Sequence, residues 1–125
     1  MLTLNTRKYI NCTSKASCLD TITRITNLAN LTRQWGILEL DNIITATDHF
    51  LLKLGVMLVV DGAKPQQVQE ILNNTIVASF ATGEELLNQL IITRGVLAIQ
   101  AGYNPRLIEF NLHAFLGELH YGEVL

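Results

Sequence analysis

Hydrophobic residues recur along this chain with the spacing of an amphipathic α-helix. In the first such stretch they are separated by threes and a four, and polar residues occupy the opposite side. The members of this stripe are Leu19, Ile22, Ile25, Leu28, Leu31 and Trp35. The pattern predicts a first helix that buries one face and ends at Gly36.

Two further helices are predicted before the middle of the chain. Residues 37–44 read as a short helix with polar side chains outside. Residues 50–60 are apolar on nearly every side, which predicts the central and most buried helix of the fold. Thr47 or Asp48 is expected to cap its N-terminus, because both residue types accept a hydrogen bond from the first turn.

Three helices are predicted in the second half. The fourth opens at Pro65 and turns Val68, Ile71, Leu72, Ile76 and Phe80 inward. The fifth begins at Thr82, where Thr82 and Glu85 have the spacing of a capping box, and it runs to Gly102. The sixth begins with Asn104 as its cap and stops at Gly117.

Glycine and proline mark tight corners between these helices. Asp61 and Gly62 end one helix shortly before Pro65, and Gly102 ends another before Asn104 and Pro105. Glycine reaches the left-handed conformation that ends a helix, and proline suits the first helical position. With Gly36, these residues are the predicted structural corners. No clear strand pattern occurs outside the ambiguous residues 57–60, so we predict an all-α fold, a compact bundle of about six short helices.

Length and charge suggest one domain with two short ends. The chain has 125 residues, which is the size of a single domain. Up to Arg33 it carries five basic residues and one acid, although its net charge is -2. We therefore predict a basic flexible leader over residues 1–18, a helical domain over 19–117 and a frayed tail over 118–125.

Composition limits location and partners. The longest uncharged apolar run, Leu54 to Val60, is far shorter than the roughly 20 residues of a bilayer helix, and no signal peptide is apparent. We therefore expect a cytoplasmic chain. The acidic balance argues against nucleic acid, and the corner at Gly62 lacks the basic helix of a helix-turn-helix. Hydrophobic residues make up 49% of the chain, which predicts weak self-association.

Catalytic chemistry is not indicated. Residues 61–64 lack a glycine-rich phosphate loop, and no nucleophile-elbow pattern occurs. The three histidines are scattered, and Cys12 and Cys18 lack the spacing of zinc or redox pairs. We expect a protein that is not an enzyme and that has no catalytic, cofactor or metal site.

Three segments resemble the cytoplasmic parts of the flagellar motor stator A subunit, the MotA/PomA family. Residues 33–41 (RQWGILELD) are similar to its loop between the second and third membrane helices, and residues 58–62 with Pro65 to the Val-Asp-Gly-x-x-Pro corner further along that loop. Residues 84–116 resemble its tail after the fourth membrane helix. The resemblance covers roughly Leu19 to Leu116.

In that family the two regions flank the third and fourth membrane spans. Here they join near residues 76–83, so residues 19–81 are loop-like and 82–117 are tail-like, and the spans are absent. The resemblance implies a bacterial inner-membrane parent that pairs with a stator B subunit and pushes on the rotor switch ring.

Matched residue by residue, the resemblance makes Arg33 and Asp41 the rotor-contacting charges. It implies torque generation without ion conduction, since the ion path uses the missing spans. The alternative is a small helical adaptor, or a designed soluble scaffold, without rotor binding.

Overall fold

The computed structural model of the protein describes residues 12–117, with the side chains of residues 16–117. Six α-helices occupy this range: α1 Cys12–Trp35, α2 Leu40–Ile43, α3 Phe50–Val60, α4 Pro65–Ser79, α5 Gly83–Ala101 and α6 Pro105–His113. Two 3-10 helices, Ile37–Glu39 and Ala114–Leu116, precede α2 and follow α6. Residues 12–117 contain no strand, so the predicted all-α fold is confirmed.

The ends of the chain only partly fall within the described range. Residues 1–11 of the predicted leader and the whole predicted tail, residues 118–125, lie outside it. Residues 12–18 belong to α1 rather than to a flexible leader, and Cys18 is fully buried in the core. The helical domain therefore extends upstream of residue 19, because the apolar stripe of α1 continues to Cys18.

Helix α5 is the centre of the bundle. It packs against α1, α3, α4 and α6. Its buried residues point to several sides of the helix; they are Leu87, Asn88, Gln89, Ile91, Ile92, Thr93, Gly95, Val96, Ala98 and Ile99. Helix α3 leaves Phe50 and Met57 exposed. The prediction that residues 50–60 form the most buried helix is therefore wrong, because α5 occupies the middle and covers only one side of α3.

Two glycines bring α1 and α3 close to α5. A Cβ atom on Gly95 of α5 would lie 2.7 Å from both Cδ1 and Cγ2 of Ile25 on α1. A Cβ atom on Gly55 of α3 would lie 2.9 Å from Cγ2 of Val96 on α5. Both distances are shorter than carbon atoms tolerate in a packed interior. The missing side chains at these two positions therefore permit the observed spacing of the helices.

The two glycine corners have the same hydrogen-bond pattern. At the end of α3, Gly62 has φ 87°, its N–H donates to the Val59 carbonyl, and the Ala63 N–H donates to the Leu58 carbonyl. At the end of α5, Gly102 has φ 77°, its N–H donates to Ile99, and the Tyr103 N–H donates to Ala98. Both are Schellman motifs, which satisfy the last carbonyls of a helix.

Proline follows each corner at the start of the next helix. Pro65 is the first residue of α4 and Pro105 the first residue of α6. Asp61 lies between α3 and Gly62, and its N–H donates to the Met57 carbonyl. Gly36, after α1, also has a positive φ of 92°. These turns set where each helix begins and ends.

The caps of α3 and α5 differ from the sequence prediction. His49, rather than Thr47 or Asp48, caps α3: its Nδ1 accepts from the Leu51 N–H at 3.0 Å. Thr82 is the N-cap residue of α5, but its side chain makes no capping bond. The predicted capping box is wrong, because Glu85 turns away from Thr82 and accepts hydrogen bonds from His49 and Gln89.

Three chain positions lie at the same end of the bundle. Helix α1 runs parallel to α5, since Ile25 packs at Gly95 while Arg33, further along α1, reaches the residues that follow α5. Helices α4 and α5 are joined by residues 80–82 only, which makes them antiparallel neighbours. The start of α1, the end of α4 and the start of α5 therefore lie at the same end.

Candidate functional site

A polar groove lies between the last turns of α1 and the start of α6. Its volume is about 560 Å³. Polar side chains line it from both helices: Thr26, Asn30, Arg33 and Gln34 from α1, and Asn104, Arg106 and Glu109 at the start of α6. This groove contains Arg33, one of the two residues that the family resemblance selects.

Helical spacing explains the α1 wall of the groove. Thr26, Asn30 and Arg33 are separated by four and three residues, so they share one face of the helix. Ile25 and Leu28 lie on another face and are fully buried. Burial of the apolar face against α5 therefore turns Arg33 outward into the groove.

The α6 wall depends on the corner that precedes it. Gly102 turns the chain, and the Oδ1 atom of Asn104 accepts a hydrogen bond from the Arg106 N–H at 2.8 Å. The Arg106 guanidinium carbon lies 5.0 Å from the centroid of the Phe110 ring, within cation–π distance. The cap and the ring contact hold Arg106 near the start of α6.

The described residues that line the groove carry an excess of positive charge. Arg33 and Arg106 contribute two guanidinium groups, and Glu109 contributes one carboxylate. Arginine presents several N–H donors in a planar fork that matches carboxylate geometry. An acidic side chain of a binding partner is therefore the group that this arrangement suits best.

Sequence reasoning did not select Arg106 as a site residue. It is part of the Asn-Pro-Arg string that the family resemblance includes, and that string was the available signal. Helical periodicity relates residues within one helix, and Arg33 and Arg106 belong to different helices far apart in the chain. Only the packing of α6 beside α1 brings them into one groove.

Asp41, the second predicted contact residue, lies elsewhere. It is exposed on the short helix α2 and does not line the groove. Among the described residues no ion pair joins Asp41 to Arg33. The structure thus presents the two charges on separate elements, each open to solvent.

Two large apolar side chains between Arg33 and Asp41 are exposed. Leu40 is 1% exposed and belongs to the core, whereas Trp35 and Leu38 are 64% and 69% exposed. The prediction that Trp35 belongs to the buried stripe of the first helix is therefore wrong. Trp35 is the last residue of α1, and Leu38 lies in the 3-10 helix after Gly36, which has no buried residue.

Comparison with known proteins gives no family for this chain. The chain matches no protein-family model, and a search of curated proteins also gives no match. Within residues 12–117, no helix has both the length and the apolar character needed to cross a membrane. The same described part of the chain has no cluster of three or more histidine, cysteine, aspartate or glutamate side chains suited to a metal ion.

Proposed function

We propose that this chain is the cytoplasmic part of a flagellar motor stator A subunit, with the membrane spans of the MotA/PomA family absent, and that it contacts the rotor switch ring. Arg33, in the groove, and Asp41, on α2, are the contacting charges. The chain binds and transmits force in this proposal, and it conducts no ions. Its parent protein would lie in the bacterial inner membrane with a stator B subunit.

The arrangement of chain positions at one end of the bundle carries the proposal. The resemblance places the second membrane span directly before α1 and the third and fourth spans between α4 and α5. Those three positions, the start of α1, the end of α4 and the start of α5, lie at the same end of the bundle. A membrane could therefore receive all three connections on one side without changing how the helices pack.

The opposite end supports the same proposal. Arg33 lies in the last turn of α1, and α6 begins just after the end of α5. The groove is therefore at the end far from the three connections. A rotor placed on the cytoplasmic side of a membrane would meet this end first, and an acidic surface would be steered towards its arginines.

The test is binding of the purified chain to purified rotor switch-ring protein. Arg33→Glu should weaken binding about tenfold or more, since reversal replaces attraction by repulsion. Arg94→Glu is the matched control. Arg94 is also an exposed arginine, but it lies on α5 outside the groove.

Three further readouts sharpen this test. Asp41→Lys should also weaken binding, and added salt should weaken binding of the unaltered chain, because screening reduces steering between exposed charges. A reversed charge on the rotor protein should restore part of the affinity lost by Arg33→Glu. Equal loss with Arg33→Glu and Arg94→Glu, or binding that ignores salt, would contradict the proposal and favour an adaptor or scaffold without rotor binding.

A further inference from the structure

His49 joins the starts of two helices through both of its ring nitrogens. Its Nδ1 atom accepts a hydrogen bond from the Leu51 N–H of α3 at 3.0 Å. Its Nε2 atom lies 2.7 Å from Oε1 of Glu85 in the first turn of α5. The side chains of His49 and Glu85 are 30% and 51% exposed, so solvent protons reach this pair.

These contacts determine where the ring carries its hydrogen. Nδ1 accepts from an N–H and therefore has no hydrogen of its own. In the neutral ring the single hydrogen is then on Nε2, which donates it to the Glu85 carboxylate. A second proton has only one place to bind, the Nδ1 atom that caps α3.

We propose that His49 is a proton-sensitive cap, which accepts the hydrogen bond of the Leu51 N–H at the start of α3 when neutral and loses that bond when protonated. Protonated Nδ1 is a donor, so it no longer accepts from Leu51. The first N–H groups of a helix have no acceptor within the helix, so the Leu51 N–H then depends on water. The contact between Nε2 and Glu85 survives, and the ring stays attached to α5.

The surrounding charges act in both directions. The starts of α3 and α5 carry partial positive charge, which opposes an imidazolium ion, while Glu84 and Glu85 on α5 favour it. On the segment of His49 itself, Lys53 Nζ contacts the Ala46 carbonyl at 3.4 Å and Asp48 binds Arg24 of α1. Arg24 holds the pKa of Asp48 below its ordinary value, so that pair stays charged where a histidine titrates, between about pH 5 and 8.

Amide hydrogen exchange at Leu51 tests the proposal directly. Going from about pH 7.5 to about pH 5.5 should reduce its protection about fivefold after correction for intrinsic rates, which is the loss expected for a helix cap. The Lys53 amide is the internal control, because it donates to the backbone carbonyl of His49 at 3.0 Å. Its protection should hold at both pH values.

Two variants separate the cap from general acid effects. His49→Asn keeps an N-cap acceptor that does not titrate, so Leu51 should stay protected at both pH values. Glu85→Gln removes the carboxylate that favours the imidazolium, so the loss of protection should move to lower pH. Constant Leu51 protection in the unaltered chain, an equal loss in His49→Asn, or an unmoved midpoint in Glu85→Gln would overturn the proposal.

Discussion

The guanidinium of Arg24 on α1 binds the carboxylate of Asp48 through two hydrogen bonds of 2.9 Å, from Nε to Oδ1 and from Nη2 to Oδ2. The same Nη2 atom donates to the Ile43 carbonyl at 3.1 Å, and Asp48 Oδ2 accepts from the Thr45 N–H at 2.8 Å. Arg24 therefore fastens the connection between α2 and α3 to the side of α1. Bidentate pairs of this kind are stronger than ordinary hydrogen bonds.

This pair predicts a specific pH dependence of stability. The hydrogen bond from Arg24 lowers the pKa of Asp48 from its ordinary value of 3.8, against the opposing effect of burial. Because the folded-state pKa is the lower one, the pair stabilises the fold above that ordinary value and loses this contribution as pH falls through the folded-state pKa.

Asp48→Asn should lower the free energy of unfolding by about 1–2 kcal/mol at neutral pH. The difference between the two proteins should shrink in acid, as measured by denaturant unfolding at several pH values. Asp41→Asn is the matched control and should change stability by less than about 0.5 kcal/mol, since Asp41 is exposed and pairs with no described residue. A difference that persists unchanged at the lowest pH would contradict the role given to the ion pair.

Gly95→Ala should destabilise the bundle. The new Cβ would lie 2.7 Å from two atoms of the fully buried Ile25, and overpacking of this kind costs about 1–3 kcal/mol. Alanine's better helix propensity offsets roughly 1 kcal/mol of that cost. Thermal or denaturant unfolding measures the result.

A double-mutant cycle identifies the contact responsible. Ile25→Ala removes the atoms that the new Cβ would meet, so Gly95→Ala should cost less, or stabilise the fold, in the Ile25→Ala background. Equal effects of Gly95→Ala in both backgrounds would mean that α1 and α5 do not meet at these residues.

Phe80→Asn should stabilise the fold. Phe80 follows α4 with φ 53°, a left-handed conformation that is unfavourable for a bulky side chain, and its side chain is 88% exposed. Asparagine adopts this conformation more readily, and little burial is lost. We expect a gain of about 0.5–1 kcal/mol in the free energy of unfolding. A loss of stability would show that the Phe80 ring makes a needed contact.

Weak self-association should occur at high concentration. Val77 and Phe80 are 74% and 88% exposed near the turn between α4 and α5. Light scattering should give an average mass that rises with concentration, and Val77→Gln with Phe80→Asn should reduce the rise. Leu107→Gln is the matched control, because Leu107 is 64% exposed on α6. A strict monomer at every concentration would refute the prediction.

Much of the helix pattern was readable from local sequence. The corners at Gly62 with Pro65 and at Gly102 with Asn104 and Pro105 lie where the sequence predicts them. Each depends on backbone conformations that glycine or proline favours whatever the rest of the chain does. The buried stripe of Ile22, Ile25 and Leu28 was predictable for a similar reason, since the helical period alone places these residues on one face.

The N-terminal caps of α3 and α5 depend on residues that are distant in the sequence and that bind the predicted capping side chains. Asp48 has the right chemistry to cap α3, but Arg24 takes its carboxylate and His49 becomes the cap. Glu85 has the right spacing for a capping box with Thr82, but it pairs with His49. The local sequence indicates which capping hydrogen bond each side chain is able to form. It does not indicate that a residue from another part of the chain will bind the same side chain.

Only the tertiary structure shows which helix is central and which residues surround Arg33. Residues 50–60 are more apolar than α5, yet α5 is the central helix, as its contacts with four other helices show. Arg106 joins Arg33 only because α6 folds back beside the end of α1. Sequence periodicity specifies the buried face of each helix, whereas the neighbours of that helix depend on how all the faces pack together, which no single segment encodes.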